Sequence, residues 1–167
     1  RRSRDRGRGP RHLILRQNRI IDLMRRSTLG SKLVAAKDSS ERRALLRHHR
    51  RSVDSALSDA LLSICYAKWM SEPTVARKAA AAAKEVSRVD RNPRSHALSL
   101  WIGGVAKLTL GKFEAAAADL SSAFDALVAL ESPAEAAQTC VAKLIAYGML
   151  GRYDDALAEG RRALATF

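Results

Sequence analysis

Aromatic residues make up only 5% of the 167-residue chain, and it holds just two cysteines and four prolines. Two cysteines exclude a disulfide framework, and Cys65 and Cys140 fall within apolar helical patterns, where buried free thiols are expected. No uninterrupted apolar run approaches the roughly 18–20 residues that span a bilayer. The charged first residues have no apolar segment after them, so no secretory signal is visible. Catalytic motifs are missing too: there is no G-x-S-x-G, HExxH or Walker pattern. Gly7-x-Gly9 sits in an arginine-rich tail with no strand before it, which excludes a dinucleotide loop. His48 and His49 are adjacent, so on a helix they point about 100° apart and cannot easily share a metal. His96 stands at a helix start, and no motif links any histidine to either thiol. Neither an enzyme nor a bound cofactor or metal is expected.

What the chain does have is alanine, arginine and an uneven charge. Of the 30 basic and 17 acidic residues, residues 1–51 hold 17 and 4, while residues 52–167 hold 13 of each sign. The whole net charge of +13 therefore sits in the first third. A basic arm can neutralise phosphates or anionic lipid heads, and nucleic acid is the alternative partner this suggests. Arg16, Arg19, Arg25, Arg26, Arg42 and Arg43 are the candidate phosphate contacts. The plainer reading is compositional, since 22 arginines against 8 lysines, with abundant alanine, fit GC-rich coding.

Residues 1–10 are nearly free of apolar side chains and read as a disordered basic tail. Residues 11–51 read as a basic helical extension. Leu13, Ile14, Ile20, Ile21 and Met24 form one face of a helix to Arg26, expected to cap the structure that follows. Ser27–Ser40, with Gly30, reads as loops around a short helix, and Glu41–Arg51 as a second basic helix. Helical repeats then fill 52–167, in units of about 52–90, 93–130 and 133–167. Ser52 is the expected cap of the first, and Asn92-Pro93 and Ser132-Pro133 open the next two, with Glu135 completing a capping box. Gly103-Gly104 lies inside a helix, at about 1 kcal/mol per glycine relative to alanine, which signals close helix packing.

The period is explicit. Leu110-Gly111-Lys112-Phe113-Glu114-Ala115-Ala116 returns as Leu150-Gly151-Arg152-Tyr153-Asp154-Asp155-Ala156, and Ala123-Phe124 as Ala163-Leu164, each displaced by 40 residues. Turn glycine, aromatic and spaced alanines (Gly111, Phe113, Ala116, Ala123; Gly151, Tyr153, Ala156, Ala163) resemble the tetratricopeptide repeat family. The first unit keeps only Ala76 and Ala83, and the period is longer than the family's usual 34. The resemblance implies an all-α, right-handed superhelix of antiparallel helix pairs that serves as a protein-interaction scaffold, binding a peptide or partner protein in its concave groove. Carried over residue by residue, the groove would use Ser58, Leu61, Cys65, Lys68 and Trp69, then Leu98, Trp101, Val105 and Thr109, then Gln138, Val141, Ile145 and Met149. The plainer reading of the two tryptophans is helix-packing core. The alanine- and arginine-rich character is similar to cytoplasmic repeat arrays of GC-rich bacteria, some of which precede a caspase-like CHAT protease domain. The chain is thus expected to be a piece of a longer bacterial protein.

Overall fold

The computed structural model describes residues 10–165, with side chains from residue 20 onward in the first helix; the expected disordered tail lies outside the described residues apart from Pro10. Every regular element is helical: α1 (Pro10–Ala35), α2 (Ser39–His48), a 3-10 turn (Arg50–Ser52), α3 (Ser55–Lys68), α4 (Pro73–Asp90), α5 (Pro93–Leu108), α6 (Phe113–Ala129), α7 (Pro133–Met149) and α8 (Tyr153–Leu164).

From α3 onward each helix packs on the next, and α5 also touches α3 and α7. Connections of a few residues make such neighbours antiparallel. The 40-residue period is built into the backbone. The turns after α5 and α7 hold Gly111 and Gly151, with φ of 68° and 70°. The connections after α4 and α6 hold Arg91 and Glu131, both at φ 55°. The left-handed region is open to glycine at little cost, whereas Arg91 holds it as the first residue past α4 and Glu131 as the second past α6.

Alanines line the buried faces of α4, α6 and α7, so the helices approach closely. The tightest approach is at Gly104, where a Cβ would lie 2.6 Å from Leu120 Cγ and 3.2 Å from the Ala116 carbonyl. The glycine pair expected to mark close packing does so at its second member.

Three local expectations are corrected. Helix α1 runs unbroken through residues 27–35, because Gly30 faces α3, where a Cβ would be 3.4 Å from Ile64 Cδ1, and Leu29 and Leu33 are buried beside it. The capping is done by this C-terminal half, while Ile20, Ile21 and Met24 of the expected stripe are exposed. The cap of α3 is Asp54 rather than Ser52, since the Asp54 carboxylate accepts from Leu57 N at 3.1 Å and Ser52 is drawn into the 3-10 turn. Ser132 makes no side-chain cap either. Glu135 is taken instead by Arg94, which also grips Asp59 at 2.8–2.9 Å and so joins α3, α5 and α7. The N-caps Asn92 and Asp38 are made as hydrogen bonds to Arg94 N and Glu41 N.

Candidate functional site

The inner faces of α3 and α5 do not form an open groove. Ser58, Leu61, Cys65 and Leu98 are fully buried, and Trp101 and Val105 expose only 2% and 1%. Helix α5 packs on α4 and α6 and also meets α3 and α7. Trp101 Nε1 donates to Tyr66 Oη at 2.8 Å, with the rings edge-on at 6.0 Å. Burial raises the Tyr66 hydroxyl above its ordinary range, against the opposing effect of that hydrogen bond. Trp101 and Val105 are therefore core. Thr109 is half-buried and donates to the Ala106 carbonyl, Trp69 is half-buried, and Lys68 is exposed and paired with Glu72 at 2.7 Å. Gln138 and Ile145 are exposed on α7.

Apart from Lys68, the exposed part of the predicted surface lies on α7. Displacing Trp101, Val105 and Phe124 by 40 residues gives Val141, Ile145 and Leu164. The first three expose 4% or less, whereas their counterparts expose 57%, 39% and 78%. Met149, Tyr153 and Leu157 are exposed beside them. Helices α7 and α8 thus present apolar side chains at i, i+4 and i+8 on one helix and i, i+4 and i+11 on the other, a contiguous stripe along each.

Among the candidate phosphate contacts, Arg26 and Arg42 are committed elsewhere. Arg26 makes a forked pair with Asp54, at 2.5–3.0 Å, which fastens α1 to the start of α3. The hydrogen bond with Asp54 raises the Arg26 pKa. Burial works against the Asp54 charge but is outweighed by hydrogen bonds from Arg26 and from the Leu57 backbone, so its carboxyl sits below the ordinary range. Arg42 lies largely buried, 3.6 Å from Glu85. Arg25 and Arg43 are exposed, facing Asp22 at 3.9 Å and Glu85 at 3.8 Å. The side chains of Arg16 and Arg19 lie outside the described residues. A cavity of about 810 Å³ does open between α1 and the 3-10 turn, lined by Arg25, Lys32, His48, His49, Arg50 and Arg51 with no acidic residue. His48 and His49 stack edge-on at 4.7 Å.

A second basic surface escaped the sequence reading. Over the outer face of α5, between α4 and α6, runs a groove of about 860 Å³. Arg77, Lys78, Lys84 and Arg88 of α4 form one wall, all exposed and with no ion-pair partner among the described residues. Arg77, Lys84 and Arg88 follow i, i+7 and i+11, within about 20° of one line on a helix. That spacing was legible in the sequence, but the stretch 52–167 averages to zero charge and hides it.

Burial pushes the Cys65 thiol up to about 12, and burial together with the nearby Glu159 carboxylate pushes Cys140 up to about 11. Both stay protonated at neutral pH, which removes the thiolate a nucleophile would need. Among the described residues no group of three or more His, Cys, Asp or Glu could hold a metal ion, and no helix is long and apolar enough to cross a membrane. Compared with known proteins, the chain matches no family model, no curated protein and no solved structure.

Proposed function

We propose that the chain is a protein-interaction scaffold of the tetratricopeptide type, working in the cytoplasm, with α1 and α2 as a basic extension of its helix pairs. The partner is a helix, and it docks on the α7–α8 face rather than on the buried inner faces of α3 and α5. One observation carries this reading. Buried residues of the α5–α6 pair have exposed apolar counterparts in the α7–α8 pair, with Phe124 against Leu164 as the sharpest contrast. A helix with a small-residue face, as α7 has in Ala136, Ala137 and Cys140, is what such a surface accepts within this chain. Gln138 and Ile145 remain partner-binding positions in this reading.

The test uses a fluorescein-labelled peptide of the α7 sequence, residues 133–149, titrated with the full chain. Binding is expected, and Ile145→Asp should abolish it without lowering the melting temperature, because the side chain is exposed. Equal binding by Ile145→Asp, or no binding by either, would remove the support for this face.

A second reading, nucleic-acid binding through the N-terminal third, is favoured by the acid-free cavity beside His48–Arg51. Removing residues 1–51 is a poor test, since Leu29, Leu33 and Leu46 belong to the core. Arg50→Glu with Arg51→Glu alters only exposed side chains. Salt-sensitive RNA binding lost in that variant would support the reading.

A further inference from the structure

We infer that the groove over α5 is a docking site for an acidic amphipathic helix of another polypeptide, held by its carboxylates against α4 and by its apolar edge against α5. The site is separate from the α7–α8 face and does not depend on it. Its basic wall is unsatisfied: Arg77, Lys78, Lys84 and Arg88 find no anion among the described residues, although nearby Lys107 is paired with Asp119 at 2.5 Å. Four exposed cations on one wall of a concave surface favour an anionic ligand.

The floor and the opposite wall decide which anion. Ala81, Leu100, Ala106 and Leu110 make the floor largely apolar, and Gly103 leaves it low enough for a side chain to enter. No Phe, Tyr or Trp lines the groove and His96 is its one aromatic ring, so it lacks the row of platforms on which successive bases stack. The α6 wall contributes Asp119, already neutralised by Lys107. A polyanion carries charge along its whole length, whereas this groove offers one basic wall, one neutral wall and an apolar floor. That asymmetry matches a helix with one acidic edge beside an apolar stripe. Arg77 to Arg88 spans about 16 Å along α4, or roughly three helical turns. Carboxylates at i, i+7 and i+11 on the incoming helix meet Arg77, Lys84 and Arg88 in register.

The groove is also a particular product of this pair of helices. The position of Gly103 is held by Lys143 in the following pair, and that long side chain lies buried against Glu159. By this equivalence the corresponding space above α7 is filled, and the site is built once among the described residues.

The experiment titrates the full chain into a fluorescein-labelled helical peptide of roughly 14 residues, with glutamates at i, i+7 and i+11 beside a leucine stripe. Its glutamine counterpart and a single-stranded oligothymidylate of similar length are the other probes. The glutamate peptide should bind, and the glutamine peptide should bind about tenfold more weakly, three solvent-exposed charge pairs being lost. Raising salt should weaken the first and leave the second little changed. Lys84→Glu with Arg88→Glu, both at exposed positions, should abolish binding of the glutamate peptide, and Gly103→Leu should block it by filling the floor. Ile145→Asp should leave it intact, which separates this site from the α7–α8 face. Failure of the glutamate peptide to bind, equal affinity for the glutamine peptide, indifference to the charge reversal, or tighter binding of the oligothymidylate in competition would each overturn the proposal.

Discussion

Gly103 and Lys143 occupy the same place in consecutive helix pairs, 40 residues apart, and their side chains differ as much as two residues can. Where Gly103 leaves a groove, the Lys143 ammonium is buried, 2.6 Å from Glu159 Oε1 and about 6 Å from the rings of Phe124 and Tyr147. Asp119 stands at the position equivalent to Glu159, and it is met instead by Lys107 from the next turn. Two equivalent carboxylates have thus recruited lysines one turn apart, and the choice decides whether the pair keeps an open surface.

The Lys143–Glu159 pair is nearly enclosed, so its two halves depend on each other. Glu159→Ala strands a buried ammonium and should cost about 3–5 kcal/mol in urea unfolding. Lys143→Met with Glu159→Gln removes both charges while keeping much of the volume, and should lie much closer to the wild type. If the double variant is as unstable as the single one, the ion pair itself, and not the uncompensated charge, is what the pair contributes.

The adjacent glycines of α5 should respond in opposite directions. At Gly104 a Cβ meets Leu120 Cδ2 at 2.9 Å and the Ala116 carbonyl at 3.2 Å, and the backbone carbonyl cannot move aside. Gly104→Ala should therefore destabilise by about 1–3 kcal/mol despite its better helix propensity. At Gly103 the only near atom is Asp119 Oδ2 at 3.2 Å, the end of a side chain that can swing away. Gly103→Ala should be neutral or stabilising by up to about 1 kcal/mol. Thermal melts of the two variants give the comparison directly.

Much of the helix count was readable because the turn chemistry is strong. Gly111, Gly151, Asn92-Pro93 and Ser132-Pro133 each mark a real boundary, and the 40-residue offset recurs in backbone angles as well as letters. What could not be read was whether a residue is covered. Gly30 reads as a break until α3 is seen against it, and Trp101 reads equally as groove or core until its burial against Tyr66 decides for core. Burial depends on neighbours distant in sequence, while turn signals are local. Charge misled for a related reason. Arg26 and Arg42 belong to the basic third but are spent on Asp54 and Glu85, whereas the unpaired stripe on α4 sits in a segment of zero net charge.

The Arg26–Asp54 pair makes a prediction about pH. Asp54 is held below its ordinary range in the folded state, so its contribution to stability is complete above the unfolded value, about 3.9. That contribution is lost as pH falls through the lower, folded value. Asparagine caps helices as well as aspartate, so Asp54→Asn removes the ion pair and keeps the cap. The stability gap between wild type and Asp54→Asn should be constant from pH 7 to about 5 and should close as acid is added below about 3.9. Asp54→Ala loses the cap as well, and should keep a residual deficit at low pH.

Trp101 and Tyr66 separate a packing role from a binding role. Truncating a buried tryptophan costs about 3–5 kcal/mol, so Trp101→Ala should lower the unfolding midpoint sharply whether or not a ligand is present. Tyr66→Phe keeps the ring but leaves Trp101 Nε1 without its acceptor, a loss of about 1–3 kcal/mol if no water replaces it. Trp69, half-buried at the end of α3, lacks such a bond among the described residues, so the two tryptophans should differ in quenching by iodide. With Trp69→Phe in place, the remaining emission should be blue and poorly quenched, from a ring buried against Tyr66 of α3. Ready quenching in that variant would put Trp101 back on the surface and restore the groove that its position in the repeat implied.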